Sequence, residues 1–136
     1  MAVTPYLLYE DVGAALKFLS KAFGFVKLGA QKLDKGGKIT HGAMKLGDDM
    51  IMMGCPGAGY RNPKRLGENT QSLYVDVADV DKHCARARKA GATIIEEPGD
   101  TAYGHRRYGA EDPEGHVWYF AHEIRHPRAK AKARKR

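Results

Sequence analysis

The chain has 136 residues, of which 43% are hydrophobic, which is enough for one globular core. It contains no run near the roughly 18 to 20 apolar residues of a membrane span, and residues 1–5 lack the features of a signal peptide. Its two cysteines, Cys55 and Cys84, form no Cys-x-x-Cys pair, so neither a disulfide framework nor a cysteine zinc site is expected. We therefore expect reduced thiols, a cytoplasmic location and no membrane partner.

The net charge of +7 comes from one end of the chain. Residues 125–136 hold seven Lys or Arg and no acid, whereas the other residues balance 16 basic against 16 acidic side chains. Such a run predicts a solvated, flexible tail. Weak nonspecific contact with nucleic acid is the alternative role for this tail, because a few lysine–phosphate contacts give salt-sensitive affinity.

The first half of the chain predicts one strand, one helix and three further strands. Residues 3–9 are aromatic and apolar, as in a strand, and Asp11 can cap the helix that follows. Apolar residues recur at helical spacing from Val12 to Phe23, and Gly24 ends the helix. The further strands are predicted at residues 25–34, 38–46 and 50–53, with a hairpin at 35–37.

The second half predicts the same plan after a linker. Residues 55–69 are rich in Gly, Pro and polar residues, which is typical of a linker or a lid. Asp79 can cap a helix that Gly91 ends. The strands are predicted at residues 72–77, 92–97, 106–111 and 116–122, with a loop at 98–103 and a tight turn at 112–115.

The two halves form an internal repeat. Glu10-Asp11-Val12 opens one amphipathic segment, and Ala78-Asp79-Val80 opens the other 68 positions later. The predicted fold class is therefore α+β, with two tandem βαβββ modules forming a curved, partly open mixed β-sheet cleft flanked by helices. We expect one domain at residues 1–124, with modules at about 3–54 and 71–123.

One motif adds a family resemblance. The run Tyr103-Gly104-His105-Arg106 leads to Asp112-Pro113-Glu114-Gly115-His116-Val117-Trp118, and this motif on a duplicated plan resembles the vicinal oxygen chelate superfamily. Within it, the chain is most similar to the glyoxalase/bleomycin-resistance protein/dioxygenase group, including its PhnB-like members. The resemblance implies a homodimer in which the partner subunit commonly completes the cleft. It does not fix the chemistry, because members include lyases, dioxygenases, epimerases, transferases and antibiotic-binding proteins.

The residues at the family's metal-ligand positions differ from those of its metalloenzymes. The resemblance places Thr4 and Ser72 on the first strands of the halves, and Met52 and Tyr119 on the last strands. Divalent metals prefer carboxylate, imidazole or thiolate ligands, which this set does not supply. The sequence therefore predicts no metal and no other cofactor. An unorthodox site of His41, His105 and a carboxylate is the alternative.

An aromatic cleft with polar edges remains as the predicted binding site. Side chains of a strand alternate between its faces, so Tyr6, Tyr74 and Tyr119 share the inward parity of Thr4 and Ser72. Flat rings suit planar ligands, and Arg106 or Arg107 at the mouth is placed to pair with a ligand anion. The predicted ligand-binding residues are Thr4, Tyr6, His41, Met52, Ser72, Tyr74, His105, Arg106 and Tyr119.

The predicted function is metal-independent sequestration of an aromatic or amphipathic organic ligand, an antibiotic or a metabolite, and no catalytic residue is assigned. The alternative is a metal-dependent lyase, isomerase or dioxygenase with unconventional ligands. A third hypothesis is a nucleic-acid-associated protein that acts through its basic tail.

Overall fold

A computed structural model describes residues 1–124, and the predictions for the tail at 125–136 lie outside the described residues. Residues 1–124 form eight strands and three helices. The strands are β1 (Tyr6–Leu8), β2 (Val26–Leu33), β3 (Ile39–Leu46), β4 (Asp49–Gly54), β5 (Ser72–Asp76), β6 (Thr93–Asp100), β7 (His105–Glu111) and β8 (Val117–Glu123). The helices are α1 (Val12–Phe18), continued by a π-helical turn at Leu19–Phe23, then α2 (Pro63–Leu66) and α3 (Val80–Lys89).

The strands form two four-stranded mixed sheets of the same design. Their orders are β1-β4-β3-β2 and β5-β8-β7-β6. In each sheet the first strand lies parallel to the last strand of its module, and the other pairs are antiparallel. The predicted α+β fold with two tandem βαβββ modules is confirmed, and neither sheet closes on itself.

The helix starts follow the repeat found in the sequence. Asp11 accepts a hydrogen bond from the amide of Ala14 at 3.0 Å, and Asp79 accepts one from the amide of Lys82 at 3.1 Å. The first helix ends at Gly24, which has a φ of 84°, a left-handed conformation that glycine adopts without strain. Both predicted caps and the predicted end at Gly24 are confirmed.

Three features differ from the prediction by more than one residue. β1 begins at Tyr6 rather than at residue 3, so Thr4 precedes the strand. Residues 98–100 were predicted as loop but extend β6, because register shifts along the β6–β7 pair allow Pro98 and Gly99 to continue the strand. The linker contains the short helix α2, capped by Asn62 with Pro63 in its first turn.

A single hydrophobic core joins the two modules. Phe23, at the end of the first helical segment, packs against Trp118 and Phe120 of β8 at ring-centroid distances of 5.5 and 4.7 Å. His83 of α3 bonds to the carbonyl oxygen of Phe23 at 3.1 Å and to the hydroxyl of Tyr108. Each half therefore contributes side chains to the core of the other.

The Asp-Pro-x-Gly turn also links the modules. The buried Asp112 accepts hydrogen bonds from the hydroxyl of Tyr9 at 2.7 Å and from the indole N–H of Trp118 at 3.2 Å. Glu114 accepts hydrogen bonds from the amides of Glu10 and Asp11 at 2.6 and 2.9 Å. The turn thus positions the start of α1 in the other half of the chain.

Candidate functional site

Each sheet has one face toward the core and one face that is exposed in the single chain. Trp118 and Phe120 of β8 are fully buried, whereas Tyr119 between them lies on the other face. On the exposed faces, Tyr6 and Tyr74 retain 48% and 45% of their accessible surface. Their positions follow from strand alternation, because residues i and i+2 share a face.

The exposed face of the first sheet groups a tyrosine, a histidine and a methionine. Tyr6 is paired in register with Met52, and His41 is paired with Gly54. A side chain at Gly54 would clash with the Tyr6 hydroxyl and approach the His41 ring, so both side chains lie over this glycine. The absence of a side chain at Gly54 therefore leaves space for the Tyr6 and His41 side chains on this face.

The exposed face of the second sheet carries a tyrosine cluster, formed by Tyr74, Tyr103, His105, Arg107 and Tyr119. The hydroxyl of Tyr74 lies 2.8 Å from Nδ1 of His105 and 3.2 Å from the hydroxyl of Tyr103. The rings of Tyr74 and Tyr119 are stacked, with centroids 6.5 Å apart and planes at 29°. The cluster therefore combines flat aromatic surface with a continuous chain of polar groups.

Arg107 is held firmly in the tyrosine cluster. Its Nε and Nη2 donate to the two carboxylate oxygens of Glu96 at 2.8 and 3.0 Å, and its Nη1 donates to the Tyr103 hydroxyl at 3.2 Å. The guanidinium carbon lies 4.7 Å from the centroid of the Tyr119 ring, a cation–π contact. The bidentate ion pair fixes the direction in which the remaining donors point.

Arg106, the predicted mouth residue, lies on the other face of β7. It donates to Asp81 of α3 through Nε and Nη2, each at 2.9 Å, and to Asp100 through Nη1 at 2.9 Å. All three guanidinium nitrogens are therefore bonded to acidic side chains of this chain. Because β7 begins at His105, Arg107 shares the face of His105 and Arg106 does not.

The two hydroxyls at the centre of the tyrosine cluster differ in acidity. The hydrogen bond with Tyr74 and the positive charge of Arg107 lower the pKa of Tyr103. Burial and the hydrogen bond with Tyr103 raise the pKa of Tyr74 to about 12. Of the two phenols, Tyr103 therefore gives up its proton first.

Two grooves lie along β5, an edge strand of the second sheet, one beside β1 and the other beside residues 2–5 and the start of β4. The first groove, of about 610 Å³, is lined by Tyr6 and Ser72 among other residues. The second, of about 790 Å³, is lined by Thr4 and Tyr74, with Phe25 and Trp118 of the core at its base. The grooves bring together predicted residues from the two halves of the chain.

The predicted site residues therefore lie on two sheet faces, and some of them also line the two grooves. Tyr6, His41 and Met52 share the first sheet, and Tyr74, His105 and Tyr119 share the second. Sequence reasoning missed Tyr103 and Glu96 and placed Arg106 ahead of Arg107. Strand parity from His105 would have found Arg107, but Tyr103 lies in a turn, where parity gives no guidance.

Among residues 1–124, no three His, Cys, Asp or Glu side chains are grouped closely enough to hold a metal ion. His41 bonds to the Thr40 hydroxyl at 3.1 Å, and His105 bonds to Tyr74.

Within residues 1–124, no helix is both long and apolar enough to cross a membrane.

A family model matches residues 3–120, which is most of the chain. The chain belongs to the glyoxalase/bleomycin resistance protein/dioxygenase superfamily. The resemblance carried by the duplicated plan and the Asp-Pro-x-Gly motif is thereby confirmed. An uncharacterised protein from Mycobacterium bovis is 34% identical to this chain, over 91% of this chain and 84% of its own length.

Solved structures agree with this assignment. The crystal structure of TioX from Micromonospora sp. ML1 is 30% identical, covers 90% of this chain and all of its own, and superposes with a TM-score of 0.72. The fosfomycin resistance protein FosX from Mesorhizobium loti superposes with a TM-score of 0.65 over 96% of this chain and 97% of its own, at 13% identity. The FosX likeness extends to the fold alone.

Proposed function

We propose that this superfamily member binds a small aromatic or amphipathic organic molecule, an antibiotic or a metabolite, and sequesters it without a metal ion. The observation that carries the proposal is the tyrosine cluster, in which stacked Tyr74 and Tyr119 rings lie beside the fixed guanidinium of Arg107. Flat rings with a few oriented polar groups suit planar ligands. Sequestration requires affinity and abundance rather than a lowered reaction barrier.

The opposite wall of the proposed site comes from the exposed face of the first sheet. Tyr6 supplies a ring there, and Met52 supplies a flexible thioether that can adapt to ligands of different shapes. Thr4 and Ser72 line the grooves between the sheets, where their hydroxyls are available for hydrogen bonds with the ligand. His41 lies beside Tyr6 at the edge of this wall.

The proposal includes a homodimer in which the exposed faces of two copies meet around the ligand. Tyr6, Met50, Tyr74 and Ile95 all expose a third or more of their surface, a concentration of apolar area that favours a partner. Sedimentation velocity over a range of protein concentrations tests for this homodimer, and a monomer at all concentrations contradicts it.

The cysteines of the chain are free, which supports a reducing, cytoplasmic setting.

The binding test uses protein purified without chelators or a metal column. Metal content is measured by mass spectrometry, and planar aromatic compounds are then titrated into the metal-free protein by calorimetry. We expect binding without stoichiometric metal. Near-stoichiometric zinc, nickel, iron or manganese would contradict the proposal and favour a lyase, isomerase or dioxygenase.

Two variants test whether the ligand binds at the tyrosine cluster, one that changes the cluster and one that leaves it intact. Tyr119→Leu removes the flat ring and keeps apolar bulk, so affinity should fall about 2- to 12-fold, the equivalent of about 0.5–1.5 kcal/mol for an aromatic pair. A chain truncated after Ile124 should bind the ligand normally, because the basic tail is not part of the proposed site. Loss of ligand binding on truncation would contradict the cleft, whereas loss of nucleic-acid retention alone would assign that contact to the tail.

A further inference from the structure

We infer that the tyrosine cluster selects planar ligands that carry a weakly acidic hydroxyl, a phenol or an enol, and passes the ligand's proton from Tyr103 through Tyr74 to His105. The inference rests on the proposed function and adds the ligand's chemical class and its protonation state. It starts from the order of the three groups. The Tyr74 hydroxyl lies between His105 Nδ1, at 2.8 Å, and the Tyr103 hydroxyl, at 3.2 Å.

The direction of these hydrogen bonds follows from the number of protons available. A phenol has one O–H, so when Tyr74 donates to His105 Nδ1 it accepts the hydrogen bond from Tyr103. Tyr103 is then the outer end of the chain of donors, with 60% of its surface exposed. A ligand hydroxyl that reaches the cluster from solvent therefore meets the oxygen of Tyr103 first.

The turn that carries Tyr103 is itself fixed. The hydroxyl of Thr101 donates to the carbonyl oxygen of His105 at 2.9 Å and accepts from the amide of His105 at 3.0 Å. The Tyr103 and His105 rings pack edge to face, with centroids 5.1 Å apart. The relay is therefore held by its own turn before any ligand arrives, which reduces the cost of ordering it on binding.

A cation lies where the ligand's negative charge would develop. Arg107 donates to the Tyr103 oxygen through Nη1 at 3.2 Å, while Glu96 occupies the other edge of the guanidinium. The ion pair keeps Arg107 from moving away, and the charge of Glu96 leaves the pair neutral before the ligand binds. A ligand oxyanion that is bonded to the Tyr103 hydroxyl thus lies close to the fixed guanidinium of Arg107. A cationic ligand gains no such stabilisation.

The proton transfer balances without any further reactant. The ligand O–H bond breaks and its proton moves to the Tyr103 oxygen, as Tyr103 passes its own proton to Tyr74 and Tyr74 passes its own to His105 Nδ1. The products are a ligand oxyanion beside Arg107, two neutral tyrosines and an imidazolium.

The test compares two probes that differ in one proton. 4-Nitrophenol carries an acidic hydroxyl on a planar ring, and 4-nitroanisole is its methyl ether without that proton. Binding to the full-length protein is measured by equilibrium dialysis at pH 6, and the visible spectrum reports whether bound nitrophenol is ionised. We expect at least tenfold tighter binding of nitrophenol and a phenolate spectrum for the bound form.

Variants separate the relay from general hydrophobic binding. Tyr103→Phe keeps the ring and should equalise the two affinities, and His105→Gln should abolish the phenolate spectrum. Tyr108→Phe is the matched control, because this hydroxyl lies on the core face of β7, and it should keep the preference. Circular dichroism verifies that each variant is folded.

The possible failures are distinguishable. Equal binding of both probes to the wild-type protein, or a preference that survives Tyr103→Phe, overturns the relay and leaves the aromatic binding site standing. Binding of neither probe overturns the relay together with the proposed function. Tight binding of nitrophenol in its neutral form overturns the proton transfer.

Discussion

The carboxylate of Asp112 illustrates how one residue of the family motif supports the whole fold. Its Oδ2 accepts from the Tyr9 hydroxyl and the Trp118 indole, and its Oδ1 accepts from the amides of Glu114 and His116 at 3.1 and 3.0 Å. Tyr9 and Trp118 are almost completely buried, so water cannot replace these bonds. The Asp112 turn of the motif is therefore structural, and it says little about the ligand.

Asp112→Ala should lower the free energy of unfolding by about 3 kcal/mol, because two buried donors lose their acceptor. Tyr9→Phe removes one of these donors and should cost only about 1 kcal/mol. Urea denaturation of the two variants and the wild type measures both values. A change below about 0.5 kcal/mol for Asp112→Ala, the range of ordinary surface substitutions, would contradict this role.

Gly109→Ala should weaken ligand binding without unfolding the protein. A Cβ at Gly109 would lie 2.8 Å from Cε1 of Tyr119, so the ring must move off the sheet. Calorimetric titration of the ligand measures the effect. Gly99→Ala is the control, because a Cβ there meets only the carbonyl oxygen of Glu97 at 3.9 Å, and its affinity should be unchanged.

At the residue scale, the sequence predicts which side chains of a strand share a face, but it does not predict where the side chains of a turn point. The shared parity of Tyr74 and Tyr119 follows from two strands whose alternation is plain in the sequence, and the structure stacks these rings. The choice between Arg106 and Arg107 depended on where β7 begins, which an uncertainty of one residue reverses. Tyr103 reaches the cluster through a turn, whose side-chain directions no simple period encodes.

At the scale of elements, the repeated Asp-Val pairs predicted the two helix starts correctly, because a helix N-terminus needs a nearby hydrogen-bond acceptor. The first amides of a helix lack intrahelical acceptors, and an aspartate just before them supplies one. The end of β6 was less predictable. Pro98 and Gly99 are turn residues by local preference, but pairing with β7 keeps them in an extended strand.

Asp11→Ala and Asp79→Ala should each lower the free energy of unfolding by about 1 kcal/mol, since each removes a side-chain cap. The corresponding Asn variants keep the acceptor oxygen and should lose much less. Chemical denaturation measures the four variants. Equal losses for Ala and Asn would show that the caps are not the cause.

At the scale of the whole molecule, His83 makes the contact between modules sensitive to pH. Burial lowers the pKa of His83, so the folded protein takes up this proton less readily than the unfolded chain does. A histidine in an unfolded chain titrates near pH 6.5, so the stabilising effect of neutral His83 is present above that pH and is lost as pH falls through it.

The wild type should therefore lose more stability between pH 7.5 and 5.5 than His83→Asn does, since only the wild type gains a proton at this position on unfolding. Urea denaturation at the two pH values gives both differences. The other histidines are common to both proteins, so they cancel in the comparison. Identical pH dependence in the two proteins would contradict the assignment.

The shared core also predicts how the molecule melts. Phe23 of the first module is enclosed by Trp118 and Phe120 of the second, so neither half retains its core alone. Differential scanning calorimetry should show one transition with equal calorimetric and van't Hoff enthalpies. Two resolved transitions would mean that the modules are separate folding units.

The position of Glu114 bears on whether the chain can be divided. Its carboxylate in the second half satisfies the amides of Glu10 and Asp11 in the first half, and its backbone oxygen accepts from the amide of Lys64. One βαβββ unit cut from the chain would leave such amides and its helix-facing aromatic surface in water. Within the single chain, each unit therefore fills the place that a partner subunit takes in a dimer.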